Sequence, residues 1–188
     1  MPSFSNLTLQ TARLDLRPLA LSDADAVFAM RSDPVVQRYG SHGPWTDRQT
    51  ANDYIERDIE AMAAGTFVQL AIVRRADAAV VGTCTLHGLD VQCRRAEVGY
   101  VLLTSEWGNG YASEAVVGLL DWGFEQLDLN RVEADIDPRN TPSARLLERL
   151  GFVREGHLRE RWIVAGEVGD SWIYGLLAPE WKALRQPA

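Results

Sequence analysis

The sequence has few of the residues that build metal sites or disulfide frameworks. Among its 188 residues are two cysteines, Cys84 and Cys93, and three histidines. The cysteines do not form a CxxC pair, and the histidines match no HExxH-type pattern. We therefore expect two free thiols in a reducing cytoplasm and no metal site.

Long apolar runs and basic patches are also missing. The longest apolar runs, VQLAIV and WIYGLLA, are far shorter than the roughly 20 residues of a membrane-spanning helix. The N-terminal segment lacks the charged, apolar and small-residue regions of a signal peptide. The formal net charge of −7 argues against nucleic-acid binding, because neutralising phosphates requires a concentrated basic face. We therefore expect a cytoplasmic protein that binds neither membranes nor nucleic acids.

The composition is that of a folded domain. Apolar residues make up 46% and charged residues 24% of the chain, as in ordinary globular proteins. No internal repeat or low-complexity tract interrupts the sequence. Because a single core typically spans about 100–200 residues, we expect residues 1–188 to form one domain.

Capping patterns predict where the first helices begin and end. Ser22 is expected to cap a short helix that ends before Pro34. Residues 46–49 (TDRQ) have the pattern of a capping box for a second helix, and Gly65 stands where that helix would end. A third helix would begin directly after the glycine-rich segment 107–111.

A fourth helix is expected with Thr141 as its cap, Pro142 at its first position and Gly151 at its end. Apolar patterning also predicts strands at residues 13–19, 67–74, 80–87, 97–103, 131–136, 158–164 and 171–178. This order of elements favours the α+β class, with a single mixed sheet of about six to seven strands flanked by about four helices.

Residues 102–112 (LLTSEWGNGYA) join the end of a strand to the start of a helix. Their glycines allow positive φ angles, and the first N–H groups of a helix have no intrahelical partner. Together with the helix dipole they predict an anion site suited to a pyrophosphate. A tight turn with glycines for geometry alone explains this stretch equally well. A Rossmann loop fits less well, because Ser113 stands where the third glycine is needed, and no Walker A lysine is present.

Two motifs add a resemblance to a known family. The sequence EVGY at 97–100 followed by WGNGYASEA at 107–115 resembles motif A of the GNAT acetyltransferases. It is most similar to the branch that contains the Rim-type, ribosomal-protein N-terminal acetyltransferases. The family's Q/R-x-x-G-x-G/A pattern falls on Trp107, Gly110 and Ala112, with Trp107 departing from the first position. Residues 140–152 (NTPSARLLERLGF) resemble motif B.

The resemblance implies a GNAT fold whose central sheet is splayed at the cofactor site, with acetyl-CoA as cosubstrate and an amine as acceptor. Trp107 would remove one side-chain contact to phosphate and leave that contact to backbone N–H groups. The residues that the resemblance places against acetyl-CoA are Tyr100, Leu102, Thr104, Trp107, Gly108, Asn109, Gly110, Tyr111, Ala112, Ser113 and Asn140.

The same resemblance suggests catalytic residues. Glu97 begins the strand before the phosphate loop and matches a frequent position of the general base, although an exposed charge at a strand end is an equally simple interpretation. Glu160 is a weaker candidate for this role. Many family members carry an acidic tyrosine where this chain has Leu147. Ser143 could instead hydrogen-bond the leaving sulfur, or it could serve only as a residue that favours the start of a helix.

The sequence thus predicts an N-acetyltransferase that moves the acetyl group of acetyl-CoA to a primary amine, with a protein N-terminal α-amine as one candidate acceptor. A small-molecule amine, such as a polyamine, an amino acid or an aminoglycoside, is the first alternative. A non-catalytic CoA-binding sensor is the alternative from another class. A homodimer formed through the C-terminal strands is left open.

Overall fold

The computed structural model, in which residues 2–186 are described, is built around one mixed sheet of eight strands in the order β1-β2-β3-β4-β5-β6-β8-β7. The strands are β1 Leu9–Gln10, β2 Leu14–Pro18, β3 Val68–Arg74, β4 Ala79–Asp90, β5 Arg95–Leu102, β6 Arg131–Ile136, β7 Val153–Val164 and β8 Glu167–Leu177. The helices are α1 Ala24–Ser32, α2 Pro34–Gln37, α3 Gln49–Ala63, α4 Tyr111–Gln126, α5 Thr141–Arg149 and α6 Ala178–Arg185.

The predicted α+β class with a single mixed sheet is confirmed, but the predicted numbers of strands and helices were too low. The two-residue strand β1 and the short helices α2 and α6 account for the difference. In the described part of the chain, no helix is both long and apolar enough to cross a membrane.

The central strand β3 explains how the layers form. All of its residues except Arg74 are buried, because both faces of the sheet are covered. On one face, Val68 and Leu70 belong to a core completed mainly by α4, α5 and α6. On the other face, Ala71 and Val73 pack against α1 and α3. The continuous apolar run in the sequence therefore marks a strand covered on both sides.

The helix beginning at residue 24 is capped one residue later than predicted. Asp23, not Ser22, is the N-cap of α1, after a 3-10 turn over Leu21–Asp23. The Asp23 carboxylate accepts hydrogen bonds from the Ala20 amide at 2.8 Å and from the Arg17 guanidinium at 2.7 and 2.9 Å. Among the described residues, no side chain caps the first N–H groups of α1, and the Asp23 carboxylate instead fixes the chain before the 3-10 turn.

The capping box predicted at residues 46–49 is wrong as well. α3 begins at Gln49, and the Asp47 carboxylate accepts the Gln49 amide at 2.9 Å. The Gln49 side chain lies along the helix and donates to Asp53, one turn further on. The predicted end is correct, because Gly65 has a φ of +71° and the next amide, that of Thr66, donates to the Ala61 carbonyl.

α5 also begins one residue away from the prediction. Asn140, not Thr141, is the N-cap, and its side-chain oxygen accepts the Ser143 amide at 3.3 Å. Thr141 and Pro142 are therefore the first and second helical residues. Gly151 ends the helix with a φ of +89°, as predicted.

The C-terminal hairpin was predicted too short. β7 starts five residues before the predicted position 158, and β8 starts four residues before position 171. α6 was missed, although Pro179 in its first turn and Glu180 are typical of a helix start. Its Trp181 is buried, and the Trp181 indole donates to Asp121 of α4 at 3.0 Å.

The pairing of β5 with β6 ends early and opens the sheet. These two strands are parallel and pair only at three positions, the last of which joins Glu97 to Glu133. Beyond it, β5 stays paired with β4 up to Leu102, and β6 stays paired with β8 up to Ile136. The sheet is therefore splayed between β5 and β6, as expected.

Replacing Gly151 by Ala should destabilise the fold by about 1–2 kcal/mol, since a left-handed backbone is strained for residues with a Cβ atom. The added Cβ would also collide with the Leu184 side chain of α6. For a chain of this size the unfolding midpoint should fall by roughly 2–8 °C. Gly156→Ala is the control, because its added Cβ would meet nothing closer than 3.8 Å. Equal midpoints for Gly151→Ala and the unmodified protein would contradict this account.

Candidate active site

The opening between β5 and β6 has a polar backbone edge. From Val98 onward, the side of β5 that faces β6 has no partner strand within the described residues. Backbone N–H and C=O groups in such a place require hydrogen-bonding partners. An extended molecule with amide groups can supply them by lying along the strand edge.

The loop after β5 forms the entrance to α4. A 3-10 turn at Thr104–Glu106 leads into Gly108 and Gly110, whose φ angles are +80° and +79°. Gly110 is the N-cap of α4, and no side chain caps this end of the helix. The first N–H groups of the helix, those of residues 111–113, can therefore bind an anion.

Arg13 and Glu114 attach this entrance to the N-terminal part of the sheet. The Glu114 carboxylate accepts hydrogen bonds from the Thr11 hydroxyl at 2.6 Å and from the Arg13 amide and Nε, both at 2.7 Å. Arg13 also donates to the Asn109 carbonyl and lies over the Tyr111 ring. Burial disfavours the charged carboxylate, but these hydrogen bonds outweigh it and lower the pKa of Glu114. The positive charge of Arg13 therefore balances the negative charge of Glu114, which lies in the first turn of α4 beside the anion site.

Trp107 directly follows the 3-10 turn that comes after β5. Its side chain is half exposed, and its indole N–H donates to the Leu102 carbonyl at 3.1 Å. Leu102 itself is buried in the core. The Thr104 side chain takes no part in this hydrogen bond, and its hydroxyl donates instead to the Asp33 carboxylate at the start of α2. The indole thus fixes the turn that leads into the glycine loop.

A hydrogen bond between two hydroxyl groups crosses the opening. The Tyr100 phenol on β5 and the Ser143 hydroxyl in the first turn of α5 lie 2.7 Å apart. Burial raises the pKa of Tyr100 to about 12, against the smaller opposing effect of the Ser143 hydrogen bond. Asn140, which caps α5 through the Ser143 amide, fixes the start of this helix. Leu147 is fully buried one turn further along.

Glu97 lies where the opening begins. Its side chain is about one-third exposed (35%), and its Oε1 is 3.6 Å from Nε2 of His87 on β4. Burial raises the pKa of the Glu97 carboxyl, and the positive charge of a protonated His87 would lower it. The charges of Asp135 and Glu133 raise this pKa further, against a smaller lowering by the charge of Arg161. The net shift is upward, so Glu97 takes up a proton more readily than an ordinary glutamate.

The neighbouring carboxylates are already paired with arginines. Glu133 accepts hydrogen bonds from Arg95 at 2.7 Å and from Arg131 at 2.9 Å. Asp135 lies 3.7 Å from Arg161 and accepts a hydrogen bond from the Trp162 indole. Of these three carboxylates, Glu97 alone has no arginine partner within the described part of the chain.

The structure thus brings together Tyr100 and Ser143, places residues 107–113 at one end of the opening and places Glu97 at the other. Glu160 is not part of this group of contacts: it is exposed on β7, with a φ of +53° and its amide bonded to Asp170. Sequence reasoning missed Arg13, His87 and Glu114. No local pattern marks them, because their partners are distant in the chain or on a neighbouring strand.

Within residues 2–186, no group of three or more His, Cys, Asp and Glu side chains is arranged to hold a metal ion. Cys84 is buried, Cys93 is exposed, and both are free thiols.

Comparison with known proteins agrees with this geometry. A family model described as an acetyltransferase (GNAT) domain matches residues 13–153. The chain is 41% identical over 174 residues to the uncharacterized N-acetyltransferase p20 of Bacillus licheniformis, covering 93% of this chain and 98% of that protein. It is 37% identical over 106 residues to the "Putative ribosomal N-acetyltransferase YdaF" of Bacillus subtilis, covering 56% of this chain and 58% of that protein.

Among solved structures, a GNAT-family acetyltransferase from Bacillus anthracis superimposes with a TM-score of 0.84 at 27% identity, covering 93% of this chain and 100% of that chain. The splayed sheet, the glycine loop that opens α4 and the matching family model lead to one assignment: the chain belongs to the GNAT acetyltransferase family and is an acetyl-CoA-dependent N-acetyltransferase.

Proposed function

We propose that this enzyme acetylates a primary amine that carries a single positive charge, and that the preferred acceptor is the α-amine of a protein N-terminus. The observation that carries the proposal is the environment of Glu97. It is a half-buried carboxylate at the sheet opening with a raised pKa and without an arginine partner in residues 2–186. Such a group can attract one ammonium and accept its proton.

The residues of the opening fit acetyl-CoA. The N–H groups of residues 111–113, together with the loop Gly108–Gly110, would hold the pyrophosphate. The unpaired edge of β5 around Tyr100 would pair with the amides of the pantetheine arm. When bound, acetyl-CoA supplies a thioester whose carbonyl carbon is attacked by the neutral amine, so that a C–N bond forms, the C–S bond breaks and the electron pair stays on sulfur.

Glu97 makes the amine neutral. Removing the proton from an α-amine at pH 7 costs about 1.4 kcal/mol, whereas a lysine side chain costs about 4–5 kcal/mol. A carboxylate whose pKa is raised by burial is a better match for the α-amine than for lysine. His87, 3.6 Å away, can balance the Glu97 charge when the imidazole is protonated.

The pairing of the carboxylates around Glu97 with arginines favours an acceptor with one positive charge over a polyamine. Polyamines carry several positive charges and would favour a surface with several unpaired carboxylates. Here the arginines Arg95 and Arg131 already engage Glu133, and Arg161 lies beside Asp135. This supports a monovalent acceptor, and the name of YdaF, "Putative ribosomal N-acetyltransferase", is compatible with an acceptor amine on a ribosomal protein. A small amine with one charge is the second candidate that the experiments below address.

Ser143 is the group that would face the departing sulfur. It lies in the first turn of α5, on the far side of the opening from β5. Leu147, at the position where the resemblance to the family led us to look for an acidic tyrosine, is a buried hydrocarbon and cannot donate a hydrogen bond. Because a thiol has a pKa near 8.5, one hydrogen bond from Ser143 is sufficient assistance at neutral pH.

Acetyl-CoA and CoA should both raise the unfolding midpoint, whereas NADH should not. A ligand at a hundredfold its Kd adds about 2.7 kcal/mol of stability, which corresponds to roughly 5–11 °C for a chain of this length. Differential scanning fluorimetry with the three ligands in parallel measures this. If neither CoA species at millimolar concentration raises the midpoint, the proposed cofactor site is wrong.

Replacing Glu97 by Gln should lower kcat/KM by about 10²–10⁴-fold, because the proton acceptor is lost, while the Kd for CoA stays unchanged. In the unmodified enzyme, kcat/KM should rise with pH as Glu97 loses its proton, in a range above the ordinary glutamate value because its pKa is raised. This rise should disappear in the variant.

Glu160→Gln is the matched control, since Glu160 is an exposed glutamate outside the opening, and its activity should stay within about twofold of the unmodified enzyme. A Glu97→Gln enzyme with full turnover and an unchanged pH profile would rule out Glu97 as the base.

Peptides with free Ser, Ala or Met N-termini should be acetylated with higher kcat/KM than spermidine or a monovalent small amine. The pairing of Glu133 and Asp135 with arginines leaves Glu97 as the carboxylate in this group that is available to an ammonium, which disfavours a polycation. Acetyl transfer can be followed by release of CoA thiol. N-terminally blocked peptides with an internal lysine are the control and should be poor acceptors. Higher kcat/KM with spermidine would overturn the assignment of a monovalent acceptor.

A further inference from the structure

We propose that Tyr100 is a positioning residue that donates its phenolic hydrogen to Ser143 and thereby directs the Ser143 hydroxyl hydrogen toward the leaving sulfur. This rests on the proposed function, in which Ser143 faces the thiol end of CoA. The two hydroxyl groups are 43 residues apart in the sequence and 2.7 Å apart in the structure.

The location of this pair supports a role at the reacting end of the opening. Tyr100 lies in the part of β5 that follows the last β5–β6 pair, three residues after Glu97. Ser143 lies on the element that follows β6, and its backbone N–H is held by the Asn140 side chain. The hydrogen bond therefore spans the two sides of the opening, and both hydroxyl groups adjoin the space between the strands.

Chemistry decides the direction of the hydrogen bond. Either oxygen could be the donor on geometry alone, but a phenol is more acidic than an aliphatic alcohol and is the better donor. Burial raises the pKa of Tyr100 to about 12, so the phenol keeps its hydrogen at neutral pH. With Tyr100 donating, the Ser143 oxygen accepts, and its own hydrogen is available to a third atom. Hydrogen bonds in such a chain polarise one another, by roughly 10–30% per bond.

A second phenol near α5 is already engaged. The Tyr174 phenol, on β8, donates to the Glu148 carboxylate on α5 at 3.1 Å, so its hydrogen is used on a different part of the helix. Leu147, between the two helix positions, has no donor. Of Tyr100 and Tyr174, only Tyr100 bonds to Ser143.

Protons and electrons balance without transfer from either hydroxyl. As the C–S bond breaks, sulfur keeps the electron pair and leaves as a thiolate. The Ser143 hydrogen bond stabilises that charge, and the Ser143 and Tyr100 oxygens keep their hydrogens throughout. Glu97 takes the first proton of the ammonium before the attack and passes it to water. After the C–N bond forms, the nitrogen loses its second proton to Glu97, which leaves the neutral amide. The thiolate takes up one proton from water as CoA departs, so the reaction releases one proton in total.

The test measures the pKa of the CoA thiol in the binary complex, where no turnover occurs. The ultraviolet absorbance of the thiolate is titrated for the CoA complex, with the desulfo-CoA complex as the blank that removes tyrosine ionisation. In the unmodified enzyme the thiol pKa should lie below the value near 8.5 of an ordinary thiol. Ser143→Ala should raise it by about one unit, from the loss of a hydrogen bond to a charged group.

Tyr100→Phe should raise the thiol pKa by a smaller step, about 0.3–0.5 units, because Ser143 keeps its hydroxyl but loses polarisation and orientation. The double variant should match Ser143→Ala, since Tyr100 acts only through Ser143. Tyr174→Phe is the matched control: it removes a phenol that bonds to α5 at Glu148 and should leave the thiol pKa unchanged. The Kd for desulfo-CoA should be the same in all five proteins, which shows that the site is folded.

An unchanged thiol pKa in Tyr100→Phe, with CoA and desulfo-CoA bound normally, would overturn the role of Tyr100 and leave the proposed function intact. A double variant with a higher thiol pKa than Ser143→Ala would also overturn it, because Tyr100 would then act independently of Ser143. Absence of CoA binding by the unmodified enzyme would overturn the proposed function and this inference together. Tyr100→Phe should also lower kcat with little change in the KM for acetyl-CoA.

Discussion

The site depends on the interruption of the parallel ladder between β5 and β6 after Glu97 and Glu133. Each strand keeps its other neighbour, because β5 remains bonded to β4 and β6 to β8, so the sheet stays intact around the opening. The exposed edge carries backbone groups that an uninterrupted sheet would pair internally. Unpaired backbone groups are unfavourable when they are also removed from water. A ligand with amide groups would relieve that cost, which is the physical reason for the proposal that the pantetheine arm lies along this edge.

Three kinds of group surround this opening, and we propose a different role for each in the binding of acetyl-CoA and the transfer of its acetyl group. Backbone N–H groups at the start of α4 would meet the anionic part of acetyl-CoA, and Arg13 neutralises Glu114, the acid next to them. This explains how a chain with a net charge of −7 can bind an anion. Glu97 lies at the closed end of the opening, 3.6 Å from His87 and without an arginine partner among the described residues, where it can receive a proton. Tyr100 and Ser143 bridge the opening with two hydroxyl groups, which are uncharged and can hydrogen-bond to a neutral thioester.

Sequence patterns predicted helix ends correctly where a glycine sets the backbone conformation. They were least accurate at helix starts, where neighbouring polar residues can each act as the N-cap. Gly65 and Gly151 end their helices as predicted, because glycine adopts positive φ angles without strain. The predicted caps failed at three helices. Asp23 and Asn140 are the N-caps of α1 and α5, each one residue away from the predicted cap, and at α3 Asp47 rather than Thr46 accepts the Gln49 amide. Ser, Thr, Asp and Asn have similar capping preferences, so the contacts available in the folded chain make the choice. α6 depends in the same way on the burial of Trp181.

The sequence by itself determined the class of fold, the glycine loop that leads into α4 and the two motifs typical of the family. These features depend on local periodicity, on glycine geometry and on residues at short spacing, all of which can be read along the chain. Only the tertiary structure decided that Tyr100 meets Ser143, that Arg13 neutralises Glu114, and that Glu97 keeps no arginine partner within the described residues while Glu133 keeps two. Strand register and crossover connections set these contacts, and the resulting burial and charge compensation shift the pKa values on which the proposed chemistry depends.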